Sequence, residues 1–167
     1  MRVRGGDEFD EIYRAHRDWL FRLGVVICGD RARSEDAVAE VFAKVLARWQ
    51  RGAVGEPAQY LRRALVNELT GGFRRRAIER REAARQWGDA RGGPEVATEV
   101  SDHHSVRDAL ASLPLDQRAV VALRFYEGLS EAETAAVLGV RPGTVKSRTH
   151  RALARLRELL REENANA

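Results

Sequence analysis

The chain is poor in cysteine, lysine and long apolar runs, and each shortage removes a class of protein. Cys28 is its single cysteine, so an internal disulfide is excluded and a reducing compartment is expected. The longest apolar stretch, Leu23–Cys28, is far too short to span a bilayer. It follows Glu and Asp residues some twenty positions in, unlike a signal peptide. A cytoplasmic location without membrane insertion is therefore expected. No Gly-x4-Gly-Lys-Ser/Thr loop is present to cradle a phosphate. The acidic clusters lie at the two ends, and His103 and His104 sit together in a polar stretch with no zinc-ligand spacing around them. The expectation is no enzyme activity, no cofactor and no metal. Of the 29 basic residues only Lys44 and Lys146 are lysine. Genomic base composition yields that arginine bias too, so the bias alone does not argue for nucleic acid.

What remains suits a folded, basic, helical protein. The 167 residues are 44% hydrophobic and 32% charged, with a net charge of +4, enough apolar content for a core and a mild preference for polyanions. Residues 7–87 show helical spacing and no strand-like alternation. Asp7 stands where a cap is expected for a first helix bearing Phe9, Ile12, Tyr13, His16, Leu20, Leu23 and Ile27, which Gly29 and Asp30 end. Ser34 is the expected cap of a second, striped by Val38, Val41, Phe42, Val45, Leu46 and Trp49. After a glycine-containing loop at Arg51–Glu56, Pro57 starts a third with Tyr60, Leu61, Ala64, Leu65, Leu69 and Phe73. It runs into the basic tract Arg74–Arg76. Gly88–His104 lacks large apolar residues and carries four carboxylates against Arg91, which reads as an acidic linker. Helical patterning resumes at Ser105, and Pro114 opens a helix with Ala119, Val120, Leu123 and Phe125. The expected fold is all-α: a helical domain over 1–87, a flexible acidic linker over 88–104 and a second helical domain over 105–167.

Ser130–Arg151 carries the sharpest signal. Ser130 with Glu133 forms a capping box. Ala132, Ala135, Ala136 and Leu138 let a second helix approach, and Gly139 falls where the first must stop. Pro142 then opens a helix whose Val145, Thr149, Ala152, Leu156 and Leu159 or Leu160 share one face. Thr144, Ser147, Arg148, Arg151 and Arg155 occupy the other. This is a helix-turn-helix pattern, with a back that packs and a front of hydroxyls and guanidiniums suited to the major groove. Arg148 and Arg151 are candidates for guanine edges, Thr144 and Ser147 for bases or phosphates, Lys146 and Arg155 for phosphates.

These residues resemble the extracytoplasmic-function class of bacterial sigma factors. LPLDQRAVVALRFYEGLSEAETAAVLGVRPGTVKSRTHRALARLRELL is similar to the region-four domain of that family, and GTVKSR is its most specific piece. SEDAVAEVFAKVLARW resembles the segment that docks on the polymerase clamp, and YLRRALVNELTGGFRRR the segment that reads the −10 element. The resemblance implies core RNA polymerase and promoter DNA as partners, with an anti-sigma factor as a further candidate. It assigns −35 contacts to Thr144, Lys146, Ser147, Arg148, Arg151 and Arg155. It assigns −10 contacts to Tyr60, Arg63, Asn67, Arg74 and Arg75, and polymerase docking to Asp36, Glu40 and Phe42. Helical spacing leaves Phe42, Tyr60, Trp49 and Trp19 open as core residues. The linker of the family threads the channel of the nascent RNA, so an acidic linker implies mimicry of the transcript's charge. The chain departs from the family pattern at Ala39, Thr70 and Arg141, where Gln, Asp and Ser are common. A stand-alone regulator is the rival reading, but 7–87 shows no alternating strands and helices of a receiver domain. A nucleic-acid enzyme is the third, and no catalytic constellation supports it.

Overall fold

The computed structural model describes residues 6–49, 51, 56–71 and 106–166, and among these every regular element is helical. In chain order they are α1 (Gly6–Cys28), α2 (Arg31–Trp49), α3 (57–71), α4 (Val106–Ala111), α5 (Leu115–Val121), a π-helical turn (Ala122–Tyr126), α6 (Glu131–Leu138) and α7 (Pro142–Asn166). The linker segment 88–104 and the basic tract Arg74–Arg76 lie outside the described residues.

The first two helices form a tight hairpin. Gly29 takes a left-handed φ of 75° and its N–H closes on the Val25 carbonyl at 2.8 Å, the usual way a helix stops at glycine. Asp30 caps α2, its Oδ1 accepting the Arg33 N–H at 3.0 Å. The expected cap, Ser34, instead lies inside α2, fully buried, with its hydroxyl donating to the Phe21 carbonyl at 2.8 Å. The competing cap one turn earlier wins because Asp30 directly follows the glycine stop. Ser34 is free to serve as the point of closest approach between the helices. A Cβ at Gly24 would stand 2.2 Å from its Oγ.

Leu20, Leu23 and Ile27 of α1, Val41 and Val45 of α2 and Leu61 and Leu65 of α3 are completely buried in one cluster. That cluster also takes in Ala119, Ala122, Leu123 and Val137 from the second half. Each such large apolar side chain contributes about 1.5–3 kcal/mol relative to exposure. A smaller cluster of Val120, Ala135 and Val145 ties α5, α6 and α7 together.

Two details depart from the periodicity. Phe125, expected among the apolar residues of its helix, is 58% exposed. The π turn widens the backbone there, with the Glu127 N–H reaching the Ala122 carbonyl at 3.0 Å, so the register rotates and Leu129 packs on the core instead. In α6 the buried residues are Thr134, Ala135 and Val137, with Ala132 and Ala136 exposed. The helix serves two clusters, Val137 facing the large one and Ala135 the small one.

Gly24→Ala should destabilise the protein by about 1–3 kcal/mol, because the new methyl must push α1 and α2 apart. Ser34→Ala in the same chain should recover part of that loss. Chemical denaturation of both variants measures it, and an undiminished midpoint for Gly24→Ala would refute the close approach.

Candidate functional site

The helix-turn-helix forms from local interactions. Ser130 enters α6 with extended backbone angles and its Oγ accepts the Glu133 N–H at 3.2 Å. The Glu133 carboxylate returns to accept the Ser130 N–H at 2.8 Å, so the capping box is complete. Hydrogen bonds from the Ser130 hydroxyl, then from its backbone N–H, hold the Glu133 carboxyl below its ordinary range. Gly139 closes α6 at a left-handed φ of 64°. The Arg141 carbonyl accepts from Thr144 at 2.9 Å and Val145 at 3.3 Å, which starts α7 in the absence of a hydroxyl cap. Val145 and Ala152 are fully buried. Leu159, half-buried, continues the packed face, and Leu160 is exposed.

The opposite face of α7 is polar and mostly open. Lys146, Ser147, Arg151 and Arg155 are exposed, and Thr144 and Arg148 are half-buried. Ser147 donates to the Thr144 carbonyl at 3.0 Å. Arg151 lies along the helix, its Nε 3.3 Å from the Ser147 carbonyl and a terminal nitrogen 3.4 Å from the Ser147 hydroxyl. Arg155 faces Glu158 at 3.6 Å. Arg148 stands apart from the others. Its Nε pairs with Asp116 of α5 at 3.2 Å, which draws it to the flank of the helix. The structure thus brings the six proposed −35 residues onto one helix, with Arg151 more open than Arg148.

On α3, Tyr60, Arg63 and Asn67 follow one another at helical spacing along one side. Arg63 and Asn67 are exposed, while Tyr60 is half-buried with the Arg48 guanidinium 5.6 Å from its ring centroid. Arg74 and Arg75 lie outside the described residues. On α2, Asp36 and Glu40 are exposed one turn apart. Glu40 meets Lys44 at 3.2 Å, and Lys44 also reaches Glu68 of α3 at 2.6 Å. The hydrogen bond that Lys44 donates to Glu68 is the main reason its ammonium titrates above its ordinary range. Phe42 does not join the two carboxylates on the surface. It is 4% exposed, enclosed by the Phe9 and Tyr13 rings at 6.3 and 4.7 Å.

Comparisons with known proteins identify the family. Residues 103–156 match the family model described as Sigma-70, region 4. The RNA polymerase sigma-E factor of Streptomyces antibioticus is 40% identical over 162 residues, covering 96% of this chain and 88% of that protein. The chain belongs to the extracytoplasmic-function class of RNA polymerase sigma factors. The sigma factor SigL of Mycobacterium tuberculosis is 36% identical, covering 90% of this sigma factor and 88% of its own length. Among solved structures, the sigma factor RpoE from Bartonella quintana, crystallised with the anti-sigma factor NepR, superimposes with a TM-score of 0.70. It shares 25% identity and covers 93% of this chain and 98% of its own. As a sigma factor the chain acts in transcription initiation. No described helix is long and apolar enough to cross a membrane.

Sequence reasoning did not single out Arg62, Glu127 or Arg118. The Arg62 guanidinium bonds Glu127 Oε2 through two nitrogens at 3.1 and 2.9 Å, and the Trp19 indole N–H donates to Glu127 Oε1 at 2.8 Å. Arg118 donates to the carbonyls of Ala111 and Leu113 at 2.6 and 3.0 Å, capping the end of α4, and its burial lowers its pKa. The partners of Arg62 and Glu127 are so distant in sequence that they leave no periodic trace.

The Glu133 shift sets a pH dependence. A depressed carboxylate stabilises the fold above its unfolded pKa and loses that contribution as pH falls through its lower folded value. Ser130→Ala removes the first cause of the depression. At neutral pH the lost cap should cost about 1 kcal/mol, and the gap in melting temperature between variant and parent should narrow on acidification. A gap constant with pH would show that the Ser130 hydroxyl contributes nothing through Glu133.

Proposed function

We propose that this sigma factor docks on core RNA polymerase through the α2 face bearing Asp36 and Glu40, with Phe42 supporting that face from within the core. It reads the −35 element with the α7 face and the −10 element with the α3 face. The observation that carries this reading is the polar front of α7. A capped, glycine-ended, proline-started hairpin presents Ser147, Arg151 and Lys146 to solvent above a back formed by Val145 and Ala152. That is the form a recognition helix takes in the major groove. Tyr60, Arg63 and Asn67 offer a ring, a guanidinium and an amide at helical spacing, and Arg74 and Arg75 follow them in the sequence. The protein works in the cytoplasm beside the polymerase, and as a specificity subunit it catalyses no step itself. An anti-sigma factor is a candidate regulator, since the Bartonella relative was solved with one. The acidic composition of 88–104 fits a segment that enters a basic channel.

Run-off transcription with core polymerase on a genomic library tests the function and reports the promoter at once; no transcript above that of core alone would overturn it. In binding to the promoter so found, Arg151→Ala should cost about 1–3 kcal/mol and relax sequence preference. Arg148→Ala should cost less, because its charge is shared with Asp116. Equal losses on scrambled DNA would reassign Arg151 to the phosphate backbone. For docking, Asp36→Arg with Glu40→Arg should abolish holoenzyme formation while circular dichroism keeps the helical content of the parent. Normal assembly of that double variant would move the docking face elsewhere.

A further inference from the structure

Arg148 and Asp116 form an ion pair that the packing of α5 on α7 does not require. Val120 of α5 and Val145 of α7 are completely buried in the small cluster, so apolar contact already holds the two helices together. The Asp116 side chain is 49% exposed and that of Arg148 20%. A pair so open to solvent adds little stability. Its place is more informative. Asp116 stands in the first turn of α5, outside the helix-turn-helix, and reaches the helix proposed to read the −35 element.

The atoms involved narrow its purpose. Asp116 Oδ2 meets Arg148 at Nε, 3.2 Å away. Nε is the guanidinium nitrogen nearest the backbone, and among the described residues no hydrogen bond engages the two terminal nitrogens. A carboxylate at Nε fixes the rotation of the planar fork and leaves its outer edge open. That edge presents two parallel N–H donors, the match for the O6 and N7 acceptors of guanine in the major groove. Arg151 has the opposite arrangement. Its Nε and a terminal nitrogen lie back on Ser147 of its own helix at 3.3 and 3.4 Å. It must leave those contacts before the same atoms can serve DNA.

Charge acts in the same direction. A carboxylate 3.2 Å from the guanidinium offsets its cation, so the pair attracts phosphates less than a lone arginine does. Both effects turn Arg148 from backbone attachment toward base reading.

We propose that Asp116 is a positioning residue for promoter reading: it holds Arg148 at Nε, so that the terminal nitrogens meet a guanine edge while the charge is kept from the phosphates. This role rests on the −35 reading proposed above for α7 and gives one of its side chains a stated base. Arg148 then contributes little to total affinity and much to preference at one base pair.

Binding of the holoenzyme to the promoter found by run-off, and to versions with each −35 base pair changed singly, tests the role. Asp116→Asn keeps the side-chain volume and removes the charge. Preference at one G·C pair should fall about fivefold or more. Binding to scrambled DNA should strengthen, and its salt dependence should steepen by about one released counterion. Asp116→Glu should retain most of the preference. Arg148→Ala should erase preference at the same pair, and adding Asp116→Asn to it should change that preference no further. Unchanged preference at every pair in Asp116→Asn would overturn the positioning role. So would an equal loss on promoter and scrambled DNA with a lowered melting temperature, the mark of a merely structural pair. Preference lost at a pair that Arg148→Ala leaves intact would also overturn it, because Asp116 would then act without Arg148. A parent holoenzyme indifferent to every −35 base would sink the α7 reading itself and the positioning role with it.

Discussion

The buried face of α1 is the constraint on which the rest of the structure depends. Leu20, Leu23 and Ile27 have no exposed surface, and the cluster they anchor draws residues from α2, α3, α5, the π turn and α6. A helix can serve several neighbours at once only if one of them comes very near. Gly24 makes that approach possible, because the Ser34 hydroxyl occupies the space where any other residue would carry its Cβ. With α2 so close, α3 and the second half pack over the same apolar stripe. The carboxylates of α2 and the polar front of α7 are left outside because everything apolar near them has been drawn inward.

The helix-turn-helix was legible almost residue by residue, since its cap, stop and start are contacts within a few positions. Ser130, Glu133, Gly139 and Pro142 each do in the structure what their chemistry requires at that place. The apolar stripes of α1, α2 and α3 were legible for the same reason, as periodicity reports a face. What the sequence hid was a competing contact or a break in register. Ser34 looked like a cap because hydroxyls cap helices, yet Asp30 lay closer to the glycine stop. Phe125 looked buried because helical periodicity assumes an unbroken register, and the π turn broke it. Arg148 and Arg151 looked equivalent on the helix face, but Asp116 on another helix distinguishes them. Phe42 could be read as surface or core until the rings of Phe9 and Tyr13 closed over it.

Charge is distributed unevenly over the molecule. Arg151, Lys146 and Arg141 lie exposed on or beside α7, which favours approach to a polyanion. On α2 and α3, by contrast, Glu40, Lys44 and Glu68 form a chain of pairs. Such exposed pairs contribute little stability, but they leave a surface that is acidic at one end and neutralised at the other. A basic partner surface would meet Asp36 first.

Cys28 gives the molecule a chemical silence. The residue is 9% exposed, and its thiol donates to the Asp30 carbonyl at 3.2 Å and is pushed up in pKa chiefly by burial. A protonated, enclosed sulfur is a poor nucleophile toward peroxides, electrophiles and disulfides alike. Thiol-directed oxidants and alkylating agents therefore react poorly with Cys28. A cysteine engineered at any exposed position would be the one that reacts, so dyes and crosslinkers can be attached site by site with the natural thiol left in place.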